Sequence, residues 1–208
     1  MLHTQTIEPE TLGLLSKLMA LPELKDFVLV GGTNLSLRLG HRLSIDLDLF
    51  TPNDFDTEWM FNFLLSHFPD AIFVSRSEHM LFMYINNVKI DMVRLPYPYV
   101  QPIEYQEGIR LASLPDIAAM KLSAVSRRGV KKDFWDIAEM LHYYTVAEMI
   151  GFYKLKYSSH DIFHLIRSLV YFEDAELQKD PAPLKKVTWK QVKKKMQTVV
   201  RQYIKENT

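Results

Sequence analysis

The sequence predicts an α+β fold, with a mixed sheet flanked by helices in the first half of the chain and a helical second half. Three observations predict it. Across residues 27–50 a short apolar run meets Gly31-Gly32, a brief amphipathic segment follows, and a second apolar run carries Asp46-Leu47-Asp48. Three β-rich segments crowd residues 71–94. From Ser113 onward, apolar residues recur at helical spacing.

Taken in order, residues 8–20 form a first helix, with Pro9 in its first turn and Leu12, Leu15, Leu18 and Met19 as its stripe. Pro22 ends it. The opening strand, the Gly-Gly turn, a short helix and the Asp-x-Asp strand come next. Thr51-Pro52-Asn53 breaks the chain before a helix over 56–67 that buries Met60, Phe63 and Leu64. Residues 71–76 and 80–85 are strands, and Asn86-Asn87 makes a tight hairpin into a third strand over 88–94. In that strand Val88, Ile90 and Met92 are set against Lys89, Asp91 and Arg94. Pro96, Pro98 and Pro102 close the sheet portion, giving a core over 1–108 and a helical region packed on it over 109–208. Ser113-Leu114-Pro115-Asp116 opens a helix carrying Ile117, Met120, Leu122 and Val125, and Gly129 closes it. Helices over 131–143, 146–156 and 160–171 follow, then the rigid Asp180-Pro181-Ala182-Pro183 break and a last helix over 188–205.

Composition narrows the function. The chain has 208 residues, 48% hydrophobic and 24% charged, the profile of a soluble globular protein with a real core. Formal net charge is zero, so no global field announces a nucleic-acid partner. The absence of cysteine excludes disulfides, thiolate metal sites and a cysteine nucleophile. No signal-like start and no apolar run of membrane-spanning length is present, so a cytoplasmic protein without membrane attachment is expected.

The chemistry concentrates at the Asp-x-Asp pair. Residues two apart in a strand share a face, so Asp46 and Asp48 point together while Ile45, Leu47 and Leu49 face the body of the domain. Paired carboxylates with no cation between them repel, and such pairs suit a hard divalent metal bound through oxygen. Gly31-Gly32 lets the backbone approach a ligand closely at a helix start, where free N–H groups favour phosphate. Asp91 falls on the polar side of its strand, where it either joins the pair as a third carboxylate or forms a surface ion pair with Lys89 or Arg94.

Four ordered pieces carry a family resemblance: GGTNLSLRLGHRLSIDLDLF, VKIDMV, LPDIAAMKLSAVSRRG and KKDFWDIAEML, spanning about residues 27–141. The chain resembles the AbiEii/AbiGii toxin nucleotidyltransferases, a branch of the polymerase-β-type superfamily found in bacterial abortive-infection and toxin–antitoxin systems. The resemblance implies the nucleotidyltransferase fold and Mg²⁺-dependent transfer of a nucleoside monophosphate from an NTP to a hydroxyl of RNA, such as tRNA, or of protein. Two Mg²⁺ ions are implied, with Mn²⁺ as a substitute, and a cognate antitoxin as partner. Asp46, Asp48 and Asp91 would be the metal ligands, with Asp91 helping to deprotonate the acceptor. Gly31, Gly32 and Thr33 would line the triphosphate, with Ser44 and Arg42 nearby. Lys121 would neutralise phosphate charge, and Asp133 or Asp136 would be the last acidic position of the family. Against this stands an ion pair of either aspartate with Arg127, Arg128 or Lys131.

Three rival readings remain. A non-catalytic nucleotide- or RNA-binding module of the same fold would keep the residues without the reaction. His160 and His164, four apart on a helix, resemble a zinc hydrolase motif, but neither the glutamate-length base nor the third ligand that it needs is evident, although Glu173 is available downstream. Lys185, Lys186, Lys190, Lys193, Lys194, Lys195, Arg201 and Lys205 give the last helix a basic face, read either as solvated or as a phosphate-binding surface for RNA. Its apolar set is Trp189, Val192, Met196, Val199, Val200 and Tyr203.

Overall fold

A computed structural model describes residues 1–158 and 161–207. The chain divides into two units, the first made of Met1–Arg38, Ser44–Pro98 and Pro102–Ala112, the second of Leu39–Leu43, Tyr99–Gln101 and Ser113–Thr208.

The first unit holds a seven-stranded sheet with β1 (Val28–Leu29), β2 (Leu47–Thr51), β3 (Ile72–Arg76), β4 (Met80–Ile85), β5 (Val88–Arg94), β6 (Glu104–Gln106) and β7 (Ile109–Leu111). Their order across the sheet is β3-β4-β5-β2-β1-β7-β6. Pairing is mixed: β2 runs parallel to β5 and β7 parallel to β1, while the other neighbours are antiparallel. The expected hairpin between β4 and β5 is present, with Asn86 and Asn87 at φ 51° and 62°, the left-handed values a two-residue turn of this hand requires.

Three helices serve this unit: α1 (Pro9–Ala20), α2 (Gly31–Leu39) and α3 (Thr57–His67). The Asp56 carboxylate caps α3 by accepting from the N–H groups of Glu58 and Trp59. Alternation along the strands sends Leu47, Leu49, Leu81, Met83, Ile90 and Met92 into one core with Leu15 and Leu18 of α1 and Met60 and Leu64 of α3. The other face of the same strands carries Asp48, Phe50, Lys89, Asp91 and Val93, all half-buried. Asn34, fully buried in α2, donates from Nδ2 to the carbonyls of Leu29 (2.8 Å) and Ala112 (3.0 Å), fixing α2 against β1 and the end of β7.

The second unit contains α4 (Leu114–Arg128), α5 (Lys131–Met140), α6 (Val146–Lys156), α7 (Ile162–Ser168), α8 (Glu173–Glu176) and α9 (Trp189–Asn207). Ser113 caps α4, and Gly129 ends it at φ 49°. Thr145 and Glu148 form a reciprocal capping box on α6. Ile117, Leu122, Phe134, Ile137, Met149, Leu165, Val192 and Met196 are buried, and Phe134, Phe172 and Trp189 pack ring against ring. Among the described residues no helix is long and apolar enough to cross a membrane.

Several expectations need correction. Residues 96–108 do more than close the sheet: Glu104–Gln106 and Ile109–Leu111 form a further hairpin, turned by Glu107 and Gly108 at positive φ. Ile45 is 67% exposed instead of facing the core, because β2 begins only at Leu47. The polar side of β5 is Lys89, Asp91 and Val93; Arg94 shares the parity of Met92 and pairs with Asp54. The helix expected over 131–143 ends at Met140, and that over 160–171 is the shorter α7 followed by α8.

Replacing Asn34 by alanine removes its two buried hydrogen bonds to the Leu29 and Ala112 carbonyls and the one it accepts from Arg38 Nε, so a loss of about 2–3 kcal/mol is expected in urea unfolding. A loss below about 0.5 kcal/mol, the range of a neutral surface change, would show that this clamp holds nothing.

Candidate active site

In the first unit, parallel pairing of β2 with β5 sets Asp48 directly opposite Asp91. Paired residues on neighbouring strands share a face, so the two carboxylates lie side by side, with strands about 4.8 Å apart. Asp46 stands one residue before β2, near enough for its charge to act on Lys89. Lys89 answers this concentration of negative charge. Its Nζ lies 2.6 Å from Asp91 Oδ2. Burial opposes charging it, but the hydrogen bond and charge of Asp91 and the fields of Asp46 and Asp48 prevail, holding the ammonium above its ordinary range. One cation therefore feels all three carboxylates. Asp91 Oδ1, by contrast, is buried and has no hydrogen-bond partner.

The glycine turn meets the same carboxylates. Gly31 sits at φ +70°, and a Cβ added there would stand 2.0 Å from Asp48 Oδ2. Any other residue would collide with the carboxylate, so glycine is required twice over at this position. Gly32 follows as the second residue of α2. Thr33 is fully buried, and its hydroxyl donates to the Asp46 carbonyl and lies 2.9 Å from Ser44 Oγ. Thr33 and Ser44 thus hold the backbone that leads into the Asp-x-Asp strand.

Among the described residues, no three carboxylate or imidazole groups are gathered closely enough to cage a metal by themselves. Mg²⁺ does not need such a cage, since one or two carboxylates plus substrate phosphates usually hold it. Two adjacent carboxylates, one of them seated against Gly31, an unpartnered buried oxygen and an ammonium drawn among the acids fit a hard cation.

Lys121, Asp133, Asp136 and Arg42 come together in the second unit, in a buried ionic cluster. Lys121 Nζ lies 2.7 Å from Asp133 Oδ1 and 2.6 Å from Asp136 Oδ2. Arg42 reaches Asp136 with both Nε (2.7 Å) and Nη2 (2.9 Å), and His41 Nε2 donates to it at 2.8 Å. Arg128 also reaches Asp133. Of the partners expected, Arg127, Arg128 or Lys131, Arg128 makes the pair, with Asp133, and the rest of the pairing comes from Lys121 and Arg42. Burial alone would raise the Asp136 carboxyl, but the charges of Lys121 and Arg42 and hydrogen bonds from His41 and Arg42 hold it well below the usual carboxylate range. Burial likewise works against the Lys121 ammonium, and Asp136 and Asp133 nonetheless hold it above its ordinary value. His41 was not singled out by sequence reasoning; only its place beside Arg42 could have signalled it.

The basic helix divides. Lys185 pairs with Glu139, Lys193 with Glu176, and Lys195 donates to the Ala138 carbonyl. Lys190, Lys194, Arg201 and Lys205 are exposed, share one helical stripe opposite buried Val192, Met196 and Val200, and make no ion pair among the described residues. The second unit as a whole carries 18 Lys and Arg against 11 Asp and Glu, a net charge of +7, and the first unit 7 against 14, a net −7. His160 lies outside the described residues, and His164 Nε2 lies 3.1 Å from the Ser126 carbonyl.

A family described as "Nucleotidyl transferase AbiEii toxin, Type IV TA system" matches residues 13–203. The uncharacterized protein aq_aa25 of Aquifex aeolicus (strain VF5) is 33% identical over 200 residues, 91% of this chain and 94% of its own. Among solved structures, a candidate nucleotidyltransferase from H. pylori superposes with a TM-score of 0.57 at 17% identity, covering 96% of each chain. MenT4, a nucleotidyltransferase toxin from Mycobacterium tuberculosis H37Rv, gives a TM-score of 0.51 at 15% identity over 91% of this chain and 84% of that one. At such identities these structures establish the nucleotidyltransferase fold.

The cluster around Asp136 sets a pH dependence. Its folded pKa lies below the unfolded value of about 3.9, so its stabilisation is complete above that pH and is lost as pH falls towards the folded value. Lys121, raised, keeps its contribution until pH climbs through its own folded value above about 10.4. Asp136→Asn should cost about 3–5 kcal/mol at pH 7, and the gap from the unmodified chain should narrow below about pH 4 in urea titrations. A gap constant with pH would refute the ionic assignment.

Proposed function

Because the chain belongs to the AbiEii nucleotidyltransferase toxin family of type IV toxin–antitoxin systems, we propose that it transfers a nucleoside monophosphate from an NTP to a hydroxyl of RNA in a Mg²⁺-dependent reaction, as a cytoplasmic toxin opposed by a separate antitoxin protein. The observation that carries the reading is the register of Asp48 with Asp91 beside the only kind of residue, glycine, that the Asp48 carboxylate leaves room for.

In this reading Asp46, Asp48 and Asp91 hold the divalent ion. When bound, the ion supplies positive charge for the phosphates and for the attacking and leaving oxygens. The chain does the rest. Gly31 and Gly32 present backbone at the start of α2, where N–H groups favour the triphosphate. Asp91 Oδ1, lacking a partner, is the oxygen placed to take the acceptor hydroxyl's proton. Thr33 and Ser44 keep the Asp46 backbone in place. In the helical unit Lys121 is held by Asp133 and Asp136, and Asp136 by Arg42, a buried cluster that fixes the helices of that unit. RNA is favoured over protein as the acceptor by the unpaired stripe of α9 and the +7 charge of the helical unit, which suit a phosphate backbone.

Incubation with Mg²⁺, each labelled NTP and total tRNA should label the RNA, and Asp48→Asn should reduce labelling by at least on the order of a hundredfold while NTP still raises the melting temperature. Full activity in that variant would show the carboxylate site is misassigned. Lys89 tests the cation separately. Lys89→Met removes an ammonium that competes with the ion, so Mg²⁺ should bind about tenfold more tightly by calorimetry, after discounting the pair for its partial exposure. Weaker binding would mean that Lys89 helps assemble the site.

A further inference from the structure

The face of the sheet that carries the carboxylates does not stop at β5. Register places Asp48 opposite Asp91, Asp91 opposite Phe82, and Phe82 opposite Ser75, in one row across four strands. The next row joins Lys89, Tyr84 and Ile72. Phe82 is half-buried and Tyr84 is 38% exposed, on the opposite face from Leu81, Met83 and Ile85, which are buried in the core. Lys89 Nζ sits 5.9 Å from the centre of the Phe82 ring. A sheet face turned away from the core is ordinarily polar. Here it presents two aromatic rings, neither needed by the core, immediately beside the acidic row.

Resting on the transferase reading above, we infer that Phe82 and Tyr84 form a stacking ledge for the unpaired terminal base of the RNA acceptor and present its ribose hydroxyl to Asp91. The chemistry of the rings decides which part of a nucleotide the ledge takes. An aromatic face offers a phosphate neither a donor nor a full charge, and the Lys89 ammonium beside Phe82 is paired with Asp91, whereas a base is flat and uncharged and gains by covering exposed ring surface. Exposed aromatics on a sheet are a recurrent platform for unpaired bases, and such stacking is tolerant of base identity. Distance agrees: adjacent strands stand about 4.8 Å apart, a span that one ribose bridges between its base and its hydroxyl. A paired terminal base would have its faces occupied by its own stack. The acceptor end is therefore single-stranded, and the two rings are positioning residues for it.

The experiment measures binding and turnover on the full chain. A 5′-labelled single-stranded 12-mer RNA and the same strand in a blunt duplex are titrated by fluorescence anisotropy without NTP, and KM is then measured for RNA and for NTP. Single-stranded RNA should bind more tightly than the duplex. Phe82→Ala should raise the RNA Kd and KM roughly tenfold, with Tyr84→Leu in the same direction, while KM for NTP stays within about twofold. Phe82→Trp, which keeps a stacking ring, should restore RNA binding and thereby separates stacking from misfolding. Equal affinity for strand and duplex, or equal change in both KM values, would overturn the ledge. So would transfer onto a polypeptide that added RNA does not compete away, an outcome that keeps nucleotidyl transfer and moves its acceptor from RNA to protein. RNA binding that depends on Phe82 in a chain that transfers nothing would keep the ledge and overturn the transferase reading instead.

Discussion

Two carboxylates set side by side on neighbouring strands repel, and the sheet tolerates Asp48 next to Asp91 because the reverse face of those strands is anchored. Leu47, Leu49, Ile90 and Met92 alternate with the acids and are fully buried. A slip of one residue in the β2–β5 register would exchange acids for leucines on both faces, so the core that holds the sheet also fixes the acids together. Lys89 relieves part of the repulsion from the same strand. Its side chain is 39% exposed, which leaves it room to yield to a stronger cation. Gly31 completes the constraint, since any Cβ there would displace the Asp48 carboxylate. The acidic row, the lysine and the glycine are thus one arrangement, and each is explained only by the other two.

The helical unit solves a different electrostatic problem. Lys121, Asp133, Asp136, Arg42 and His41 are withdrawn from water, where isolated ions are costly, and each carboxylate there is met by at least two cationic or hydrogen-bonding groups. Such a cluster stands or falls together, because removing one member leaves another buried and unpaired. Asp116 and Lys156 repeat the device at 2.9 Å, with the backbone N–H groups of Val100 and Gln101 and the Ser113 hydroxyl completing the aspartate's shell. Charge in this unit is therefore of two kinds, buried pairs that organise helices and an exposed stripe on α9 that organises nothing inside the protein.

Much of this was legible in the sequence, for identifiable reasons. The strands of 71–94, the Asn86-Asn87 turn and the helix ends at Ser113 and Gly129 are local chemistry, and local chemistry survives folding. Asp46, Asp48 and Asp91 were found by alternation, although only pairing between distant strands could show that Asp48 and Asp91 stand opposite each other. The β6–β7 hairpin was hidden because its strands are three residues long and sit behind three prolines. The partners of Asp136 were hidden because Arg42 and His41 lie 94 and 95 residues away in the chain. Phe82 and Tyr84 looked like ordinary strand residues until β4 was seen to share its outward face with the acids.

Zero net charge was the most misleading number in the sequence. It is the sum of −7 in the sheet unit and +7 in the helical unit, and a sum says nothing about either field. Because the whole is neutral, long-range steering of a polyanion is weak, and at physiological salt each charged surface acts within a Debye length of about 8 Å. Each field is therefore felt by whatever touches its own unit: the carboxylates of the sheet unit by a cation, the exposed cations of α9 by an anion. Neutrality of the whole chain is compatible with both, because neither field reaches far enough to cancel the other at its own surface.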